Sequence, residues 1–171
     1  MVSRYLDGTV QEAPSDAAIS VALRIVETGN PRHWSKRQEG FADWYFRHAR
    51  ADGTLPASVP MDDLPVELGY IHKLVLGRGG TDLQYRIYGG KVAAIANLDM
   101  QGRWVSEHRP PHCDIFLDHY LSLIARPRLF VGQVEFDGVG VKSPRWHRAD
   151  VPFGSDSVGV TGIIAMAIPD R

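Results

Sequence analysis

The chain has 171 residues, 19 Lys and Arg against 20 Asp and Glu, and a formal net charge of -1, so no electrostatic signal calls for a nucleic-acid or anionic-membrane partner. A hydrophobic fraction of 44% with 23% charged residues reads as ordered and globular, and the length suits one domain with a real core. The one cysteine, Cys113, excludes an intrachain disulfide, no Cys/His zinc spacing occurs, and no apolar run reaches the roughly 18 residues of a membrane span.

Residues 1–14 are polar, lack an apolar signal-peptide core and read as loose, so a soluble cytoplasmic protein is expected. Ser15 or Asp16 can cap a helix to about Thr28, with Ile19, Ala22, Leu23 and Val26 on one stripe. Residues 1–29 thus read as an N-terminal extension with one helix, and 30–171 as the main domain. Asn30-Pro31 opens a second helix to about Ala51. Trp34, Phe41, Trp44 and Tyr45 lie along one side of it. That stripe either packs on the domain's own sheet or forms part of a homodimer interface.

Residues 55–64 carry Pro56 and Pro60 and form a loop. Strands are expected at 71–76 and 82–88, joined by the glycine-rich turn 77–80. Leu83, Tyr85 and Ile87 alternate with Gln84, Arg86 and Tyr88. Gly89-Gly90 stops that strand, and 91–98 is a short helix around Val92 and Ile95. A longer helix spans 111–126, with Cys113, Phe116, Leu117, Tyr120, Leu121 and Ile124 on its apolar face and Pro127 at its end. Three further strands fall at 128–136, 145–153 and 158–168, the last almost wholly apolar, as a central strand should be. The fold class is α+β: a five-stranded antiparallel sheet with helices on one side and helices in front.

Several short motifs follow one another: Phe41-Ala-Asp-Trp-Tyr45, Leu55-Pro-Ala-Ser58, the acidic-Pro run 61–68, Tyr85-Arg-Ile-Tyr-Gly89 followed by Asp99-Met-Gln-Gly-Arg103, and Arg148-Ala-Asp-Val-Pro-Phe153. Their order and spacing resemble the stand-alone PAS family of alphaproteobacteria over about residues 30–168. Ser58 departs from it, standing where the family pattern has Arg. The resemblance implies a PAS layout, in which the helical side arches over the sheet and a cleft can open between them.

The histidines His108, His112 and His119 sit on or before one helix. A haem or metal ligand among them is outweighed by the reading as a polar helix edge, because a metal needs three or four convergent ligands. Around Cys113 the text is His-Cys-Asp-Ile-Phe-Leu, without the Asn and Arg that flavin-binding PAS relatives place beside their cysteine. Cys113 therefore reads as a small buried apolar residue. His147 and Asp150 have odd spacing on a strand and face opposite sides. His72 shares a face with Leu74 and Leu76, and Asp62-Asp63 reads as a cap. No catalytic set stands out, so the chain reads as not an enzyme.

Arg86 is the charged residue inside the motif that carries the resemblance. It either locks strand to turn, through Asp99, or clamps an anionic ligand in the cleft. Phe116 and Tyr120 would line that cleft, with His119 as a second polar contact. The expectation is a non-catalytic sensory or interaction module in bacterial signalling. It would work through a regulatory protein partner, with a small anionic ligand, no nucleic acid and no membrane span, and without a cofactor that the sequence can name. The rival class is a small-molecule carrier or enzyme on a similar cupped α+β fold.

Overall fold

A computed structural model describes residues 4–5, 8–9, 22–138, 143–155 and 159–170. Strands β1 (Arg4–Tyr5) and β2 (Gly8–Thr9) form a small antiparallel pair of their own. The main sheet contains β3 (Ala22–Glu27), β4 (Leu55–Pro56), β5 (Ile71–Gly77), β6 (Asp82–Ile87), β7 (Phe130–Asp137), β8 (Arg145–Ser155) and β9 (Gly159–Pro169). Its order is β3-β7-β8-β9-β5-β6, antiparallel throughout. Only β4 runs parallel, pairing Leu55 with Phe153 of β8 beyond the point where β7 begins, at Phe130 opposite Asp150.

Alternation and turn residues thus locate five strands to within two residues at most of their ends. The expected helix over 15–28 is corrected. Residues 15–21 lie outside the described residues, and 22–27 is strand β3 on the edge of β7. Leu23 and Ile25 alternate with Arg24 and Val26, so the segment fits a period of two as well as a helical stripe. The free edge of β7 decides between them by pairing Leu23 with Phe136 and Ile25 with Val134. Among the described residues the sheet therefore has seven strands, not five, and residues 22–27 of the stretch read as an extension pair in it.

The expected helix over 30–51 is also divided. Asn30 caps only a 3-10 turn, Pro31–His33, and Trp34 is extended. Ser35 then opens helix α1 (Lys36–His48) with a reciprocal capping box to Gln38. Helices α2 (Gly90–Ala96) and α3 (His112–Ala125) lie between β6 and β7 in the chain.

The helices cover both faces of the sheet. Phe41, Trp44 and Tyr45 of α1 are buried with Val131, Ala149, Val151 and Met166 on one face. The other face packs Tyr85, Val92, Phe116, Tyr120, Leu123, Ala165 and Ala167 beneath α2 and α3. Gln38 reaches from α1 to donate its amide to the carbonyls of Gly132 and Arg148, at 2.8 and 3.0 Å. The Trp44 indole donates to Pro60 O and Asp63 Oδ1, and Tyr45 OH to Gly53 O. The expected interface stripe is thus spent inside the chain at Phe41, Trp44 and Tyr45. Trp34 is half-buried, its indole tied to Thr28 O, and on α1 the outward ring is Phe46, 67% exposed.

Candidate functional site

The helical face of the sheet carries a charged cluster that begins on β8. In an extended strand residues two apart share a face, so Arg148 and Asp150 both point beneath α3. They lie opposite Ala167 and Ala165 of β9, whose methyl groups keep that part of the face low. On α3, Phe116, His119, Tyr120 and Leu123 recur at helical spacing and turn the same stripe down onto it.

Arg148 Nη2 donates to Tyr120 OH at 2.6 Å and to Asp150 Oδ1 at 3.2 Å. Asp150 Oδ2 lies 2.7 Å from His119 Nε2, so both carboxylate oxygens are engaged. The Arg148 guanidinium also sits about 6 Å from the ring centroids of Phe116 and Tyr120. The Arg148 and Asp150 side chains are 2% and 1% exposed, and His119 is 11% exposed. Burial works against the charge of Arg148, but Asp150 and the hydroxyls of Tyr120 and Tyr85 outweigh it and hold the guanidinium protonated.

A second group borders the first. Tyr85 OH and His108 Nε2 are 3.0 Å apart. His72 stacks on Tyr88 with ring centroids 4.1 Å apart. The Gly89 N–H donates to His72 Nδ1, which leaves the proton on Nε2. Burial pushes His108 down to about 3, helped by His112, Arg103 and Arg148. Burial, Arg148 and His108 also hold His72 well below the ordinary range. Both imidazoles are therefore neutral at neutral pH. Burial raises the hydroxyls of Tyr85, Tyr88 and Tyr120, so they stay protonated.

Among the described residues, Arg148 Nε, Tyr88 OH and His72 Nε2 are buried on this face without a hydrogen-bond partner. Two are obligate donors and the third is a hydroxyl. Each can therefore donate to an acceptor such as a carbonyl or carboxylate oxygen. Burial raises the thiol of Cys113, on the first turn of α3.

Of the residues expected to form the site, Phe116, His119 and Tyr120 come together here. Arg86 does not. It is exposed on β6, faces away from the cleft, and forms no ion pair with Asp99, whose Oδ1 accepts from Gln101 N instead. The buried cation of the helical face is Arg148. Its signal was the pair Arg148-x-Asp150 on β8, a spacing that puts both charges on one face. Among the described residues, no three His, Cys, Asp or Glu side chains group as metal ligands, and no helix is long and apolar enough to cross a membrane.

Fold and site together define an α+β protein with an ion pair sealed between an antiparallel sheet and a covering helix. No protein-family model, curated protein or solved structure matches the chain.

Proposed function

We propose that the chain is a non-catalytic sensory or protein-interaction module of the PAS type, working in bacterial regulation. A small ligand is held against Arg148, and a partner protein reads the result. Support comes from the layout: α2 and α3 lie between the second and third of five consecutive sheet neighbours, β6-β5-β9-β8-β7, taken in chain order, and α1 precedes them. The motifs quoted for the resemblance include stretches on α1, β4, β6 and β8. The observation that carries the ligand is the unpartnered Nε of buried Arg148, beside an aspartate already engaged at both oxygens. An always-charged donor with spare capacity favours a small anion over a cation.

Native mass spectrometry and an absorption spectrum of freshly purified protein test this reading. The expected result is a co-purified small acidic compound, or a melting temperature raised by added small anions. A protein with neither does not hold a ligand at Arg148. A second reading, a carrier or enzyme on the same fold, draws on His119 and Asp150, 2.7 Å apart at the edge of the cluster. Chemical turnover of the co-purified compound would select it.

A further inference from the structure

The opposite face of the sheet carries a groove that the Arg148 cluster does not use. Strands β5 and β6 do not pair in continuous register: Leu74 lies opposite Tyr85, but Lys73 lies opposite Ile87. Arg86 is the extra residue of a bulge. One added residue turns a strand over, because side chains alternate with a period of two. Leu83 and Tyr85 point under the helices, whereas Ile87 comes out on the α1 face beside Lys73. There Ile87 and Leu68, 51% and 59% exposed, join Met61, Phe153 and Ile164 around a groove of about 220 Å³. Among the described residues that line it, Lys73 is the one that carries a charge.

We infer that this groove binds a small amphiphilic monocarboxylate, with its apolar tail along Ile87, Leu68 and Met61 and its carboxylate on Lys73. The walls set the tail, since a lining of aliphatic and aromatic side chains rewards only apolar surface. The head is set by charge. Lys73 forms no ion pair among the described residues, and its ammonium rests 5.2 Å from the Phe153 ring centroid. Lys91 is paired with Glu67 and Arg78 with Asp82, and the exposed Arg86 does not line the groove. The bulge gives the site its reason: it moves an isoleucine out of the core and onto the wall facing the free lysine. This proposal rests on different residues from the sensory reading and stands or falls apart from it.

The test is calorimetric titration of the full chain with octanoate, with octanol and acetate as probes lacking the charge or the tail. Octanoate should bind saturably and about tenfold tighter than octanol, the ratio that one partly shielded charged hydrogen bond supplies. The Met61 methyl signal should shift during the titration. Lys73→Met should erase the preference for octanoate while keeping the binding of octanol, and Ile87→Ser should weaken both. Both positions are partly exposed, and circular dichroism checks that each variant folds. Equal binding of octanoate and octanol, a preference that survives Lys73→Met, or a silent Met61 overturns the proposal. So does a lack of saturable octanoate binding, even if a protein is later found on this face.

Discussion

Arg148 and Asp150 stand two residues apart on β8 and meet at 3.2 Å, where neither side chain is more than 2% exposed. Charges so placed are stable only as a set, since each removes the desolvation cost that the other would face alone. Tyr120 and His119 complete the set from α3, so helix and sheet are joined by polar contacts as well as by packing.

Removing one member should therefore cost more than removing both. Asp150→Leu should lower the unfolding free energy by about 3–5 kcal/mol by leaving Arg148 buried without a counterion. The double variant Arg148→Met/Asp150→Leu should recover part of that loss. Urea denaturation of the two single variants and the double variant measures the coupling.

Stability should fall with acidification before the carboxylates titrate. His108 and His72 have pKa values depressed in the folded state, so the unfolded chain binds more protons below about pH 6.5. Their contribution is full above that pH and is lost as pH falls toward the folded values. The limiting slope is about 1.4 kcal/mol per pH unit for each proton, so about 2.8 for the two. The exposed carboxylates Asp52, Asp63 and Glu67, held low by hydrogen bonds from Thr54, His48 and Lys91, matter only below about pH 4. His108→Gln keeps a polar group near Tyr85 and should roughly halve the slope between pH 5.5 and 4.5, read from denaturation midpoints.

Gln38 anchors α1 through two sheet carbonyls while also accepting from Ser35 N. Gln38→Leu leaves the carbonyls of Gly132 and Arg148 without that donor and removes half of the capping box. A loss of about 1–3 kcal/mol is expected in urea denaturation.

Two glycines should respond in opposite directions. A Cβ at Gly162 would fall 2.0 Å from Leu74 O and 2.6 Å from the Phe153 ring, so Gly162→Ala should destabilise by about 1–3 kcal/mol. A Cβ at Gly90, the first residue of α2, meets nothing within 4 Å. Gly90→Ala should stabilise by about 0.4–1 kcal/mol. Thermal melts of both variants check the signs.

The strands from β5 onward were legible because alternation and turn residues act locally. Strand β3 was not, because Ala22, Leu23 and Val26 satisfy a helical stripe as well, and only the distant edge of β7 breaks the tie. The bulge at Arg86 leaves no mark in composition, so Leu83, Tyr85 and Ile87 looked like one face when Ile87 belongs to the other. The same hidden residue drew the cleft's cation to Arg86 instead of Arg148. The pair Arg148-x-Asp150 was readable from spacing alone, but His147 beside it drew the comparison to the wrong neighbour. In α1 the capping box from Ser35 to Gln38 was also in plain text, and it outcompeted Asn30-Pro31 as the start of the helix.

The bulge has a consequence for how this molecule meets its own copies. An uncovered outer strand is a template on which another chain can add a strand. Along β6 the first rungs are closed by the chain itself: Gln84 bridges Trp104, Tyr85 N donates to Arg103 O, and Gly102 N donates to Tyr85 O. Past Tyr85 that cover ends, and there the strand kinks and presents the charged side chain of Arg86. A straight, apolar finish to β6 would invite end-on stacking of sheets. The irregular, cationic one is a poorer template for an added strand.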